Sequence, residues 1–235
     1  YPNIVESKSF YPVMDTSISR AATVIKRHSM PERKTGKREG EEWGKWIDDN
    51  WMIIGQSHFY KHEFSKSVEI FQYVAITYPE DKNIHWSRLW MAKSHVQNGE
   101  FNTANRLLKE LQLEIDAQAE PESKEKNKSK SYKVKQAKRA KDEELPLIEF
   151  SKSFILEKKL VETHLYLSQQ DFKKSVPALL ESIDLAKKKS LKARLYFILG
   201  QIYQETGRLE LAGEAYKTVE KLHPNYDMTF YAQIN

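Results

Sequence analysis

The stretch from Ala193 to Pro224, ARLYFILGQIYQETGRLELAGEAYKTVEKLHP, constrains the fold of this chain more than any other. Tyr196, Leu199 and Tyr203 are spaced i, i+3 and i+7, which puts them on one face of a helix. Gly200 removes a side chain from that face, where a partner helix can cross closest. Gly207 opens a turn. Ala212 then offers a matching small surface on a second helix, and Tyr216 and Val219 extend its seam up to Pro224. Large, small and turn residues at these fixed offsets predict a helix-turn-helix unit. Such a unit cannot bury both of its faces alone and has to stack on copies of itself.

Copies are present. From Asp48 to Pro79, the residues Trp51, Ile54, Gly55, His58, Ser67, Phe71, Val74 and Pro79 fall on the same offsets, with Lys61-His62-Glu63 as the turn and Phe64 in the place of Leu209. A second copy runs from His85 through Arg88, Met91, Ala92, His95, Ala104, Leu108 and Leu111, with Phe101 after an Asn98-Gly99 turn. Arg88 departs from the large apolar residue expected at the fourth position, and Trp86 or Trp90 is expected to fill that space. The third copy is the most degenerate. Its first helix is expected from near Leu145 through Tyr166, and Phe172, Ser175 and Leu179 carry the second-helix offsets. Pro177 should kink that second helix or shift its start. Lys187-Lys188-Lys189 should close it, a favourable place for cations. NYDMTFYAQIN is expected to begin a further helix. The pattern is the tetratricopeptide (TPR) signature, W-x2-L-G-x2-Y on one helix and A-x3-F-x2-A on the next, closed by Pro. The expected fold is all-α, a TPR solenoid.

Gly and Pro number eight each and no alternating strand pattern appears, which fits an all-helical chain. There is no Cys, so disulfides, thiolate metal sites and cysteine nucleophiles are excluded. No apolar run approaches the roughly 18 residues of a membrane span. The chain opens at Tyr1 without an initiator Met and is expected to be a segment of a longer protein. Four regions are expected: 1–42 with half of an earlier repeat, 43–116 with two repeats, 117–144 as a charged insert, and 145–235 with two more repeats and the start of a helix. In the first region Thr16 or Ser17 should cap a helix running to about Ser29. Ala21, Ile25 and His28 would be its seam, and Met30 to Glu42 would form a polar loop. Ala117 to Ile148 holds nine Lys or Arg against six Asp or Glu, so much of the net charge of +5 sits there. A solvated insert is the expectation for it. Lys135 to Lys141, KQAKRAK, also resembles a polyanion contact, but no nucleic-acid partner is expected from so mild a charge.

Stacked repeats leave a surface built from their first helices. In this register it carries Met52, Gln56, Phe59 and Tyr60, then Trp86, Leu89, Lys93 and Gln97, then His164, then Arg194, Phe197, Gln201 and Glu205. These are the candidate protein-binding residues. Their mix of aromatics and amides suits an extended peptide or a partner helix. The Lys and Asn pair with which chaperone-type repeats clamp a C-terminal carboxylate is missing, since Met52 and Gln56 stand at those places. Trp86 and Trp90 could equally pack between repeats or under the insert. His58 and His62 have the i, i+4 spacing of metal ligands, yet Phe59-Tyr60-Lys61 between them lacks the Glu of a zinc-protease helix, and His58 holds a seam position. It is expected to be a packed core histidine. Asp48-Asp49 sits at a helix start, where carboxylates favour the dipole. No phosphate loop, nucleophile elbow or acid/base pair emerges, so no catalytic residue, cofactor or metal is expected.

Several strings go beyond the generic repeat. WIDDNWMIIGQSHFYKHEFSKSVEIFQYV (46–74), RLWMAKSHVQNGEFNTA (88–104), KARLYFILGQIYQETG (192–207) and the closing MTFYAQIN resemble, in order, segments of the PorW/SprE lipoproteins of Bacteroidota. The resemblance spans most of the chain, fails over the charged insert and is thin over residues 1–40. It implies a non-enzymatic scaffold of the type IX protein secretion and gliding-motility apparatus. That scaffold would link the outer-membrane translocon to periplasmic ring or motor components. It also implies a periplasmic location, with membrane attachment only through a lipidated Cys upstream of Tyr1. The alternative is a general peptide-binding TPR adaptor.

Overall fold

The computed structural model describes residues 8–28, 46–79, 81–119 and 150–234. Every extended element among the described residues is a helix, and none is a strand. The chain divides into two compact units, Tyr1–Glu149 and Phe150–Asn235. The first holds a 3-10 turn at Lys8–Phe10 followed by α1 (Tyr11–His28), α2 (Ile47–Tyr60), α3 (Phe64–Thr77), α4 (Asn83–Gln97) and α5 (Phe101–Ala119). The second holds α6 (Lys152–Ser168), α7 (Phe172–Leu185), α8 (Lys189–Glu205), α9 (Leu209–Lys221) and α10 (Tyr226–Ile234). Within each unit every helix packs on the next, and α2 also touches α4. The pairs α2–α3, α4–α5, α6–α7 and α8–α9 are four repeats, each with a first helix A and a second helix B.

The four A-to-B turns are built alike. His62, Gly99, Gln170 and Gly207 each adopt a left-handed backbone, with φ of 62°, 75°, 57° and 73°. The N–H of each bonds to the carbonyl three residues back. The following N–H, of Glu63, Glu100, Asp171 or Arg208, bonds to the carbonyl five residues back, on His58, His95, Tyr166 or Tyr203. This is the Schellman closure of a helix, and it satisfies carbonyls that would otherwise be orphaned. Two of the four turns do without glycine. His62 stacks on Phe64 at 5.7 Å between ring centroids, a contact that helps offset the cost of its backbone. In the first two repeats a second clasp spans the turn: His58 Nδ1 lies 2.5 Å from Glu63 Oε2, and His95 Nδ1 lies 2.7 Å from Glu100 Oε2.

The A–B crossing centres on glycine. A Cβ added at Gly55 would stand 2.7 Å from the Phe71 ring, and one at Gly200 would stand 2.6 Å from the Tyr216 ring. The expected small-against-small contact is thus an aromatic ring laid on bare backbone, with Phe71 and Tyr216 buried. The small residue at the twentieth position has its own part. Ser67 donates from Oγ to the Gly55 carbonyl at 3.0 Å and meets Ser94 Oγ at 3.1 Å, tying α3 to both α2 and α4.

In the first three repeats the fourth and twenty-sixth positions also face each other, through an aromatic pair in the first and ion pairs in the second and third. Trp51 lies 4.9 Å from Tyr73 between centroids. Arg88 reaches Glu110 at 3.4 Å and Glu114 at 2.6 Å. Lys159 reaches Glu181 at 2.8 Å. Arg88 therefore fills its own place by pairing with α5, and the neighbouring tryptophans are not needed there.

Several boundaries differ from the sequence expectation. α1 begins at Tyr11, because Pro12 in a first turn lacks only an N–H that would be orphaned anyway. Thr16 and Ser17 lie inside the helix and donate back to the Pro12 and Val13 carbonyls at 2.8 and 3.0 Å. Ala21 is buried as expected of a seam residue, Ile25 is half-buried and His28 is exposed. α6 starts at Lys152, where Ser151 Oγ caps it by accepting from the Phe154 N–H at 3.2 Å. α7 starts at Phe172, capped by Asp171, and runs through Pro177 without a break. α7 also ends at Leu185, so Lys187–Lys189 do not close it. Lys188 is instead the N-cap residue of α8, and Lys189 is its first residue. Residues 117–119 finish α5. The expected loop at 30–42 and the body of the expected insert, 120–144, lie outside the described residues.

The two kinds of glycine should respond differently to alanine. Gly200→Ala or Gly55→Ala forces an aromatic ring to shift and should destabilise by about 1–3 kcal/mol. Gly207→Ala meets no neighbour within 4 Å and should cost only about 1 kcal/mol of left-handed backbone strain. Urea titration of the three variants checks this, and a smaller loss at Gly200 than at Gly207 would contradict the crossing described.

Candidate protein-binding face

The A helices of the first unit, α2 and α4, carry a cluster of aromatic rings around one cation. Phe59 is edge-on to Tyr60 (5.6 Å), Phe64 (5.4 Å) and Trp90 (5.3 Å). Trp90 in turn stacks on Phe71 at 5.8 Å and meets Tyr60 at 6.1 Å. The Lys93 ammonium stands 4.3 Å from the Trp90 centroid and 5.5 Å from that of Phe59. Such contacts hold a lysine head over a ring face and are worth about 0.5–1 kcal/mol at an accessible site. Tyr60 is 53% exposed, while Gln56, Trp86, Lys93 and Gln97 are half-buried.

Three residues expected on this face are not available to a partner. Met52 and Phe59 are each 6% exposed and Leu89 is 1% exposed. Met52 packs with Phe71 and Val74, together with Trp51, Tyr78, Trp86, Trp90 and Met91. The apolar stripe of each A helix is wide enough to meet both its own B helix and the next repeat, so positions beside the seam are drawn into the core. Trp86 and Trp90 belong to the same cluster and pack between the first two repeats. In the second unit Arg194, Gln201 and Glu205 are exposed and His164 is half-buried. Phe197 is half-buried against Tyr216 at 5.6 Å. The accessible residues are therefore Gln56, Tyr60, Trp86, Lys93 and Gln97 in the first unit and Arg194, Phe197 and Gln201 in the second. Each is a set of rings, amides and cations suited to contact with polypeptide.

His58 is clasped by Glu63 and His62 occupies the left-handed turn position, its ring stacked on Phe64, and no group of three metal-competent side chains occurs among the described residues. The expected core packing of His58 is thus a half-buried hydrogen bond. The His58 contact, foremost, holds the Glu63 carboxyl below its ordinary range, with the Lys61 and Lys66 ammonium groups adding to it.

The aspartates at the start of α2 do more than face a dipole. Asn83 Nδ2 donates to Asp48 Oδ2 at 2.5 Å and to Asp49 Oδ1 at 3.0 Å, and the Asn83 N–H donates to Asp81 Oδ1 at 2.8 Å. One amide thus joins the beginnings of α2 and α4. Spacing could not reveal Asp81, because its contact with α2 exists only once the repeats stack. Burial, assisted by the Asp48 carboxyl, pushes the Asp81 carboxyl up to about 6 from 3.8. The folded chain therefore holds this proton more tightly than the unfolded chain. The stabilisation is complete below pH 3.8 and is lost as pH rises through about 6. Asp81→Asn should raise the melting temperature at pH 7.5 and leave it nearly unchanged at pH 3.5. Thermal melts at both values test this, and equal shifts would refute it.

Residues 193–226 match the tetratricopeptide repeat model. No curated protein matches the chain. Among solved structures, the fold is similar to nearly identical TPR-like repeats from a Podosopora anserina protein described as a kinesin light chain. That match has a TM-score of 0.52 and 12% identity, covering 93% of this chain and 92% of the other. The all-α, TPR-type fold expected from the sequence is the fold observed, and the match to the repeat model falls on its fourth helix pair.

Proposed function

We propose that this chain is a protein-interaction scaffold of the type IX secretion and gliding-motility apparatus. Stacked helical repeats create extended surfaces that such proteins use for binding. The exposed Tyr60 beside Trp90 and Lys93 is the observation that supports a partner-binding role most directly. The ordered PorW/SprE-like strings at 46–74, 88–104, 192–207 and 228–235 support the particular apparatus. On this reading the chain faces the periplasm, is anchored to the outer membrane through a lipid on an upstream Cys, and joins the translocon to ring or motor components. It has no reaction of its own. A general peptide-binding adaptor is the second reading, favoured by the match of 193–226 to the general repeat model.

A photo-cross-linking amino acid at Tyr60 in the full-length protein, expressed in a gliding bacterium, tests the first reading. Cross-links to secretion-machinery subunits are expected, together with loss of secretion on gene deletion. Normal secretion in the deletion strain would refute it. In a chain without the cross-linker, Tyr60→Ala should abolish co-purification of the same subunits while leaving the melting temperature within about 1 °C, since substitution of an exposed residue outside the core changes stability little.

A further inference from the structure

The corner between α7 and α8 carries five cations within eight residues: Lys187, Lys188, Lys189, Lys192 and Arg194 in the stretch 187–194. Lys187, Lys188, Lys189 and Arg194 are exposed and Lys192 is half-buried. Among the described residues none of the five forms an ion pair, and Asp184, one turn earlier at the end of α7, pairs with none of them. Elsewhere in the second unit Lys158, Lys159 and Lys174 are paired with carboxylates, while the other unpaired cations, such as Lys217 and Lys221, are not gathered at a helix start.

Their placement is electrostatically unfavourable in the free chain. Lys188 is the N-cap residue of α8 and contributes no side-chain cap, Lys189 opens the helix, and its first turn holds no acid. The positive end of the helix dipole repels all three of Lys188, Lys189 and Lys192. Among the described residues no cap, acid of the first turn or ion pair offsets that repulsion, whereas an anionic partner would relieve it and could accept from the N–H groups of the same turn. The cations also lead onto the A-helix face already described, where Arg194 is followed one turn apart by half-buried Phe197 and exposed Gln201. A ring and an amide behind a cationic rim fit a polypeptide with both acidic and apolar side chains better than they fit a bare phosphate.

We infer that the Lys187–Arg194 corner and the Phe197 face of α8 together dock an acidic polypeptide segment whose carboxylates meet the lysines and whose apolar side chain covers Phe197. This rests on the reading of the chain as a protein-interaction scaffold and names the chemistry of one partner. Charge complementarity at the rim would set the association rate and its salt dependence, and the ring would set residence.

The test uses the purified chain and a fluorescein-labelled peptide of alternating Glu and Leu, read by anisotropy. Its Gln-for-Glu analogue, a single-stranded oligonucleotide and vesicles of phosphatidylcholine with phosphatidylglycerol serve as the other arms. The Glu peptide should bind and weaken about tenfold between about 50 and about 300 mM salt. Lys188→Glu with Lys189→Glu should weaken it about tenfold. The charge-matched pair Lys217→Glu with Lys221→Glu on α9 should change it by less than about twofold. Phe197→Ala should speed dissociation. Equal weakening by the two lysine pairs, equal binding of the Gln peptide, or binding of only the oligonucleotide or vesicles would overturn the inference. Failure of the Tyr60 cross-link with success here would remove the proposed apparatus and leave this docking surface standing.

Discussion

The contact on which the first and fourth repeats depend is an aromatic ring resting on a glycine of the facing helix. Gly55 under Phe71 and Gly200 under Tyr216 bring A and B helices closer than any side chain at the crossing would allow. Close approach lays the ring directly on the glycine backbone, so there is no room there for a further methyl group. Where the glycine is replaced, as by Ala92 and Thr163 at the same offset in the second and third repeats, the facing residue is a leucine, Leu108 or Leu179, also buried. The smaller facing side chain offsets the larger residue at the crossing.

The turn that sends each B helix back along its A helix is equally constrained. A left-handed residue at the fifteenth position lets two N–H groups cap carbonyls at the C-terminal end of the A helix. Because the four turns share this geometry, each B helix leaves its A helix in the same way. The candidate faces differ by side chain: rings and Lys93 on the A helices of the first unit, cations and Phe197 on α8 of the second.

Much of the fold was legible because its determinants are local. Periodicity, glycine and turn residues report which side of a helix is buried, and they placed α2 to α5 and α7 to α9 within a few residues. The site was less legible. Met52, Phe59 and Leu89 lie on the helix face that a register assigns to ligands, yet neighbouring repeats bury them. Whether such a position is wet depends on how far the next helix rolls toward it, which no spacing encodes. Lys187–Lys189 were misplaced for a related reason: three lysines suit the end of one helix, and only the break after Leu185 shows that they begin another.

By itself the sequence determined the repeat, its register and the all-helical class, since these follow from the residue types that each helix can tolerate along its own length. Tertiary structure decided what meets across the repeats: the amide of Asn83 between aspartates of two helices, the exchange of an aromatic pair for an ion pair between the fourth and twenty-sixth positions, and which surface residues remain in water. Those are contacts between residues about twenty or more positions apart. Their partners come within reach only after the chain has folded back on itself.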